Sequence, residues 1–322
     1  MIRFLLTRLL FALFLVVAVS SASLLLTRLA PGDVSTQLGP FAAAADVARE
    51  RARFDLDRSI PAQWAIWAGR ALRFDFGQSY LYNRPVGGLI AQAAANTALL
   101  AVVALTLATL AGIPLGIFTG SRRGGLLTGI VRGGSLVCLS LPPLLTSLLL
   151  VFVAARTGWL PAGGMTSVGS VDMSWGAWAA DVAWHLPLPA LALALPIAAS
   201  FERLQAQAMA ETIQEPFVLS AIARGVPPNA IIVGHAWRAS LRSICAVYGL
   251  AIGALLSGSF VVEYIAAWPG LGRLMYEALR ARDIYLVAGC AAMGGVFLAF
   301  GSLAADLLLV AADPRVREGQ IQ

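Results

Sequence analysis

Long unbroken apolar runs dominate this chain. Six of them approach or exceed the length needed to cross roughly 30 Å of hydrocarbon at about 1.5 Å per residue. They cover Leu9–Leu29, Ala98–Phe118, Gly133–Ala155, Leu186–Phe201, Ile244–Ile265 and Ile284–Val310. The fourth is short and carries Pro187, Pro189 and Pro196, which predicts an irregular start and a bend. In the first, Arg3 and Arg8 precede an apolar stretch reaching Ser20-Ser21-Ala22, the pattern of a cleavable leader. The run continues to Leu29, past the usual length of a leader core, so an uncleaved span is the reading we adopt. The predicted class is an all-α integral-membrane fold with six transmembrane helices.

Two connections carry helical patterns of their own. After Ile60, Pro61 suits a first helical position, and Trp64, Trp67, Ala68, Ala71 and Leu72 recur at helical spacing, with Gly77 as a terminator. This predicts an amphipathic helix packed on the membrane face or on neighbouring spans, with an outside docking partner as the alternative. Between the fourth and fifth spans, Glu215-Pro216 opens a helix with an acid at the positive end of the dipole. Gly225 suits a left-handed C-terminal cap, Pro227 stops propagation and Pro228 opens the next helix. The stub so defined carries Phe217 and Ala221, and Val218 and Ile222, one turn apart. We read them as an apolar ridge with nothing of its own to cover it, either a simple hairpin or a docking surface for a soluble subunit.

Composition agrees: 59% of the 322 residues are hydrophobic and 12% charged, against roughly a quarter charged in soluble domains. The net charge of +6 is scattered rather than clustered, so no nucleic-acid partner is indicated. All 23 basic residues are arginine, which excludes a phosphate loop of the G-x-x-x-x-G-K-[ST] type. Cys138, Cys245 and Cys290 sit in apolar runs without ligand spacing and read as packing residues.

With the N-terminus in the cytoplasm, eleven arginines face inward, at 3, 8, 122, 123, 132, 203, 224, 238, 242, 315 and 317. Outside the long connection after the first span, four face outward, at 156, 273, 280 and 282. Long connections translocate regardless of charge, so both termini are placed in the cytoplasm. The domains expected are an N-terminal transmembrane helix over 1–30, an extracytoplasmic region over 31–95, a transmembrane domain of helices two to six over 96–310 and a cytoplasmic tail over 311–322. A cytoplasmic loop falls at about 202–242.

Pathway candidates are coarser. Span five carries Ser257 and Ser259, which line a cavity or let helices pack. Glu263, ionisable at the end of an apolar span, reads as an outer gate or an interface anchor, with Arg273 or Arg280 as partner. An intramembrane serine hydrolase is disfavoured because His185 and His235 fall on opposite sides of the membrane in this topology and no G-x-S-x-G surrounds either serine. A secondary transporter acting alone is the stronger rival.

The segment Glu215-Pro-Phe-Val-Leu-Ser-Ala-Ile-Ala-Arg-Gly225, followed by His235-Ala-Trp-Arg238, resembles the cytoplasmic coupling loop of one family. These are the permease subunits of dipeptide, oligopeptide and nickel importers of the ATP-binding-cassette class. Ordered blocks continue the likeness along nearly the whole chain: Arg28-Leu-Ala-Pro-Gly-Asp33, Leu56-Asp-Arg58, Phe76-Gly-Gln-Ser79, Arg84-Pro-Val86, Gly158-Trp-Leu-Pro161, Trp268-Pro-Gly-Leu-Gly-Arg273 and Asp313-Pro-Arg-Val-Arg317. The resemblance implies the type I importer permease fold in the inner membrane. It also implies a second homologous permease, two cytoplasmic ATPases that bind ATP and Mg, and an extracytoplasmic solute-binding protein. No cofactor would be bound by this chain. Glu215, Phe217, Val218, Ala221, Ile222, Arg224 and Gly225 would contact the ATPase. The family usually has basic residues where this chain has Leu219 and Ile222, and lysine is common where Arg224 stands.

Overall fold

The computed structural model describes residues 2–29, 43–53, 55–121, 124–170 and 173–312. Arg122, Arg123, Arg315 and Arg317, and the blocks at 30–33 and 313–317, lie outside the described residues, as do the side chains of Arg242, Cys245 and Ser257. Among the described residues the structure is helical, with a single isolated bridge between Gln78 and Pro85. The helices are α1 (Ile2–Leu29), α2 (Ala44–Arg53), α3 (Ile60–Ala71), α4 (Val86–Ser121), α5 (Leu126–Ser140), α6 (Pro143–Thr157) and α7 (Trp175–His185). They continue as α8 (Pro187–Thr212), α9 (Pro216–Ala223), α10 (Pro228–Ile231), a π-helical turn at Ile232–Ala236, α11 (Trp237–Gly258), α12 (Phe260–Ile265), α13 (Leu271–Ala281) and α14 (Ile284–Ala312).

Among the described residues five helices are long and apolar enough to cross a membrane, and a sixth crossing requires α5 and α6 to act as one span bent by 106°. The run across 133–155, expected as one span, is thus divided between two helices. Pro142 and Pro143 break it: Pro142 stands at the N-cap of α6 and Pro143 at its first position, where the missing N–H is not needed. The fourth span departs the other way. It starts cleanly with Pro187 and Pro189 in the first turn, continues through Pro196 and runs to Thr212, eleven residues past the apolar run. Span two starts at Val86, well before Ala98.

The chain forms two compact units, one of residues 1–97 and 269–299, the other of 98–268 and 300–322. In the first, Leu24, Trp67, Ile90, Leu274 and Leu286 share a core. Here α3 packs on a neighbouring span, as one of its expected placements had it: Trp67 is buried in that core and the Trp64 indole N–H donates to Ser21 Oγ of α1 at 2.7 Å. Buried Asp283 fixes the segment before α4, accepting from Ser79 Oγ at 2.6 Å and from the Leu81 N–H at 3.1 Å. Tyr82 donates to Glu277, and burial together with that bond pushes its hydroxyl up to about 12.

The second unit is organised around α8, which packs against α4, α5, α6 and α11. Its contact with α4 runs over three glycines spaced four apart. A Cβ at Gly112 would stand 2.5 Å from the Ala198 carbonyl oxygen, at Gly116 2.6 Å from that of Glu202, and at Gly120 2.5 Å from that of Ala206. The two backbones thus touch along two turns, a closeness that only glycine permits.

Candidate functional site

The segment after α8 takes its shape from its own residues. Glu215 is extended (φ −67°, ψ 144°), its carbonyl accepts from Val218 and Leu219, and Pro216 occupies the first helical position of α9. At the far end Gly225 has φ +77°. The Val226 N–H donates to the Ala221 carbonyl at 3.2 Å and the Gly225 N–H to that of Ile222 at 2.9 Å, the paired bonds of a Schellman cap. Pro228 opens α10 as expected.

The ridge on α9 differs from the sequence reading. Val218 and Ala221 are fully buried against Ile231 and Val226, so the hairpin covers them itself. The uncovered apolar face is Phe217, Leu219 and Ile222, which are 45%, 54% and 51% exposed. Glu215 and Arg224 are exposed at the two ends of the helix. The pairs one turn apart in sequence are therefore split between an inner and an outer side. The cause is the turn at Gly225, which folds Ile231 back onto one face only.

Of the pathway candidates, Ser259 and Glu263 come together: both are buried, and Ser259 Oγ donates to Glu263 Oε1 at 2.8 Å. The Glu263 carbonyl also accepts from the Trp268 N–H at 2.8 Å, closing the turn after α12. Arg273, in the first unit, pairs with Glu277 at 2.9 Å.

The structure adds a polar cluster that the sequence reading passed over. Glu202, on α8, is 1% exposed, and its Oε1 accepts from Thr119 Oγ1 of α4. The Thr119 carbonyl accepts from Arg132 Nη2 of α5 at 3.0 Å. One turn on, Gln205 Nε2 donates to Ser240 Oγ of α11 at 2.7 Å. Within three turns of the end of α8, α4 and α11 are thus tied to it directly and α5 through Thr119 of α4. The signal was present as an acid directly after an apolar run and as glycines at every fourth position of span two.

Residues 112–318 match the family model for the inner membrane component of binding-protein-dependent transport systems. The chain belongs to that family. It is similar over 322 residues, at 32% identity, to a protein of Brucella suis assigned as a peptide permease, covering 98% of this chain and 99% of that one. The oligopeptide transport system permease protein OppB of Mycobacterium bovis is 30% identical over 324 residues, and AppB of Bacillus subtilis 28% identical over 319, each with 98% of this chain and 99% of the relative covered. The matched stretch contains the glycine ridge, the Glu202 cluster, α9 and Glu263. As a member of this family the chain is a multi-pass membrane subunit of a transport system and not itself an enzyme, since ATP hydrolysis in such systems belongs to separate subunits. The lone secondary transporter is thereby set aside.

Proposed function

We propose that this chain is one of two homologous permeases of an ATP-driven peptide importer in the cytoplasmic membrane. Two cytoplasmic ATPases carry ATP and Mg, and an extracytoplasmic binding protein delivers the solute. The observation that carries the reading is the outer face of α9. It is a short helix opened by a proline and closed by a Schellman cap, with three apolar side chains exposed beside an acid and an arginine. Such a face suits a groove on a soluble subunit. The peptide assignment follows the names of the relatives. Both termini and the loop at about 202–242 lie in the cytoplasm, residues 31–95 outside. Ser259 and Glu263 brace the outer end of span five.

The test is reconstitution in vesicles. Peptide uptake and ATP hydrolysis are expected only with both ATPases present, and the isolated chain is expected to bind no nucleotide, because no lysine exists for a phosphate loop. Uptake by the permeases alone, or stoichiometric nucleotide binding by this chain, would overturn the assignment.

A further inference from the structure

A cleft of about 660 Å³ runs between α5 and α8, outside the segment assigned above to coupling. Its walls are apolar at Leu136, Leu139 and Leu204, and Arg132, Arg203 and Gln207 stand along it. Both arginines are exposed, and among the described residues neither forms an ion pair. Each borders an apolar run: Arg132 directly precedes the run from Gly133, and Arg203 stands two residues beyond Phe201. The bounds of those runs place both at the edge of the hydrocarbon, towards the end of α8 that leads to α9.

An arginine at that depth with no ion-pair partner is a functional candidate by default, and two of them along one cleft suit an anion. We infer that the cleft binds the head of an anionic phospholipid. The guanidinium fork matches two phosphate oxygens, Gln207 adds an amide within the same cleft, and the three leucines accommodate the start of an acyl chain. Basic clefts between membrane helices take such heads in general. A zwitterionic peptide fits less well, because its ammonium end would need a carboxylate facing the cleft. The one carboxylate in the cleft lining, that of Glu202, is nearly completely buried: its Oε1 is held by Thr119, and its Oε2, which has no hydrogen-bond partner among the described residues, is closed off by the atoms around it. Arg132 is oriented by its bond to the Thr119 carbonyl, so the same three helices that enclose Glu202 also place the cation. The inference needs only that the chain spans a bilayer, and it stands whichever solute the importer carries.

The test uses the assembled transporter, purified in mild detergent, mixed with equal amounts of phosphatidylglycerol and phosphatidylcholine, and weighed intact by native mass spectrometry. Wild type is expected to retain phosphatidylglycerol preferentially. The double variant Arg132→Gln with Arg203→Gln is expected to lose one bound molecule, its affinity falling about fivefold per arginine, equivalent to about 1 kcal/mol per basic residue at an anionic surface. Arg132→Lys with Arg203→Lys keeps both charges but not the fork, and is expected to hold that lipid more weakly than wild type and more tightly than the glutamine variant, which separates loss of the site from loss of the fold. Equal retention of the two lipids, or an unchanged phosphatidylglycerol count in the glutamine variant, overturns the proposal. So does displacement of the bound lipid by glycerol 3-phosphate or by a dipeptide, which would assign the cleft to a soluble anion or to the cargo.

Discussion

Gly116 and Gly225 are indispensable for different physical reasons, and substitutions separate them. At Gly225 the space is open, and φ +77° is the obstacle. At Gly116 the backbone is ordinary helix, but a Cβ would stand 2.6 Å from both the Glu202 carbonyl oxygen and Gln205 Cβ. Neither neighbour can yield without shifting α8. Gly116→Val should therefore push α4 off α8, stretch the Thr119–Glu202 bond and cost about 1–3 kcal/mol as an overpacked contact. Gly129→Ala on α5 is the control, because nothing lies within 4 Å of the Cβ it adds. Thermal unfolding in detergent is expected to show a lower midpoint for Gly116→Val and an unchanged or slightly higher one for Gly129→Ala. Equal midpoints in both variants and wild type would mean that the glycine ridge does not hold the two helices together.

The stub α9 shows what a short sequence can and cannot specify. Glu215-Pro216 at its start, Gly225 at its end and Pro228 after it were legible because capping and φ constraints act within a few residues. Its exposed face was not legible, since Ile231 and Val226 decide it by folding back across the turn. The bend between α5 and α6 belongs with the first kind. Pro142-Pro143 announced it, but apolarity on both sides made the run read as one helix. Glu202 belongs with the second. A charged residue after Phe201 reads as the exit from the membrane, and only packing against Thr119 makes it interior. The corrected face changes the mutational prediction. Phe217→Asp and Ile222→Asp place charge on the exposed side and should abolish coupled ATP hydrolysis while the permease still inserts and assembles. Ala221→Glu instead buries a carboxylate in the hairpin and should collapse it. Gly225→Val should fall between them, since backbone strain of about 1–3 kcal/mol tilts or frays the stub without charging it. Wild-type transport in both aspartate variants would remove the docking role from this face.

At the scale of the whole molecule, the bent pair α5–α6 decides on which side everything after it lies. If it crosses, residues 203, 224, 238, 242, 315 and 317 share the cytoplasmic side with 3, 8, 122, 123 and 132, and arginines 156, 273, 280 and 282 lie outside. If it turns back, the later connections exchange sides. Inside would then hold 3, 8, 122, 123, 132, 156, 273, 280 and 282, and outside 203, 224, 238, 242, 315 and 317. The bias falls from eleven against four to nine against six, so the positive-inside rule favours a crossing. A docking face on α9 requires the same, because an ATPase can reach it only from the cytoplasm. Single cysteines at Ser59, Trp175 and Ala230, introduced after Cys138, Cys245 and Cys290 are replaced, distinguish the two folds in intact cells. All three positions are exposed. With a crossing pair, an impermeant thiol reagent added outside should label Ser59→Cys and Trp175→Cys and reach Ala230→Cys only after the membrane is opened. With a re-entrant pair, Ser59→Cys and Ala230→Cys should label from outside and Trp175→Cys should not. The second pattern would put α9 on the wrong side for an ATPase and end the coupling assignment, whatever its surface chemistry.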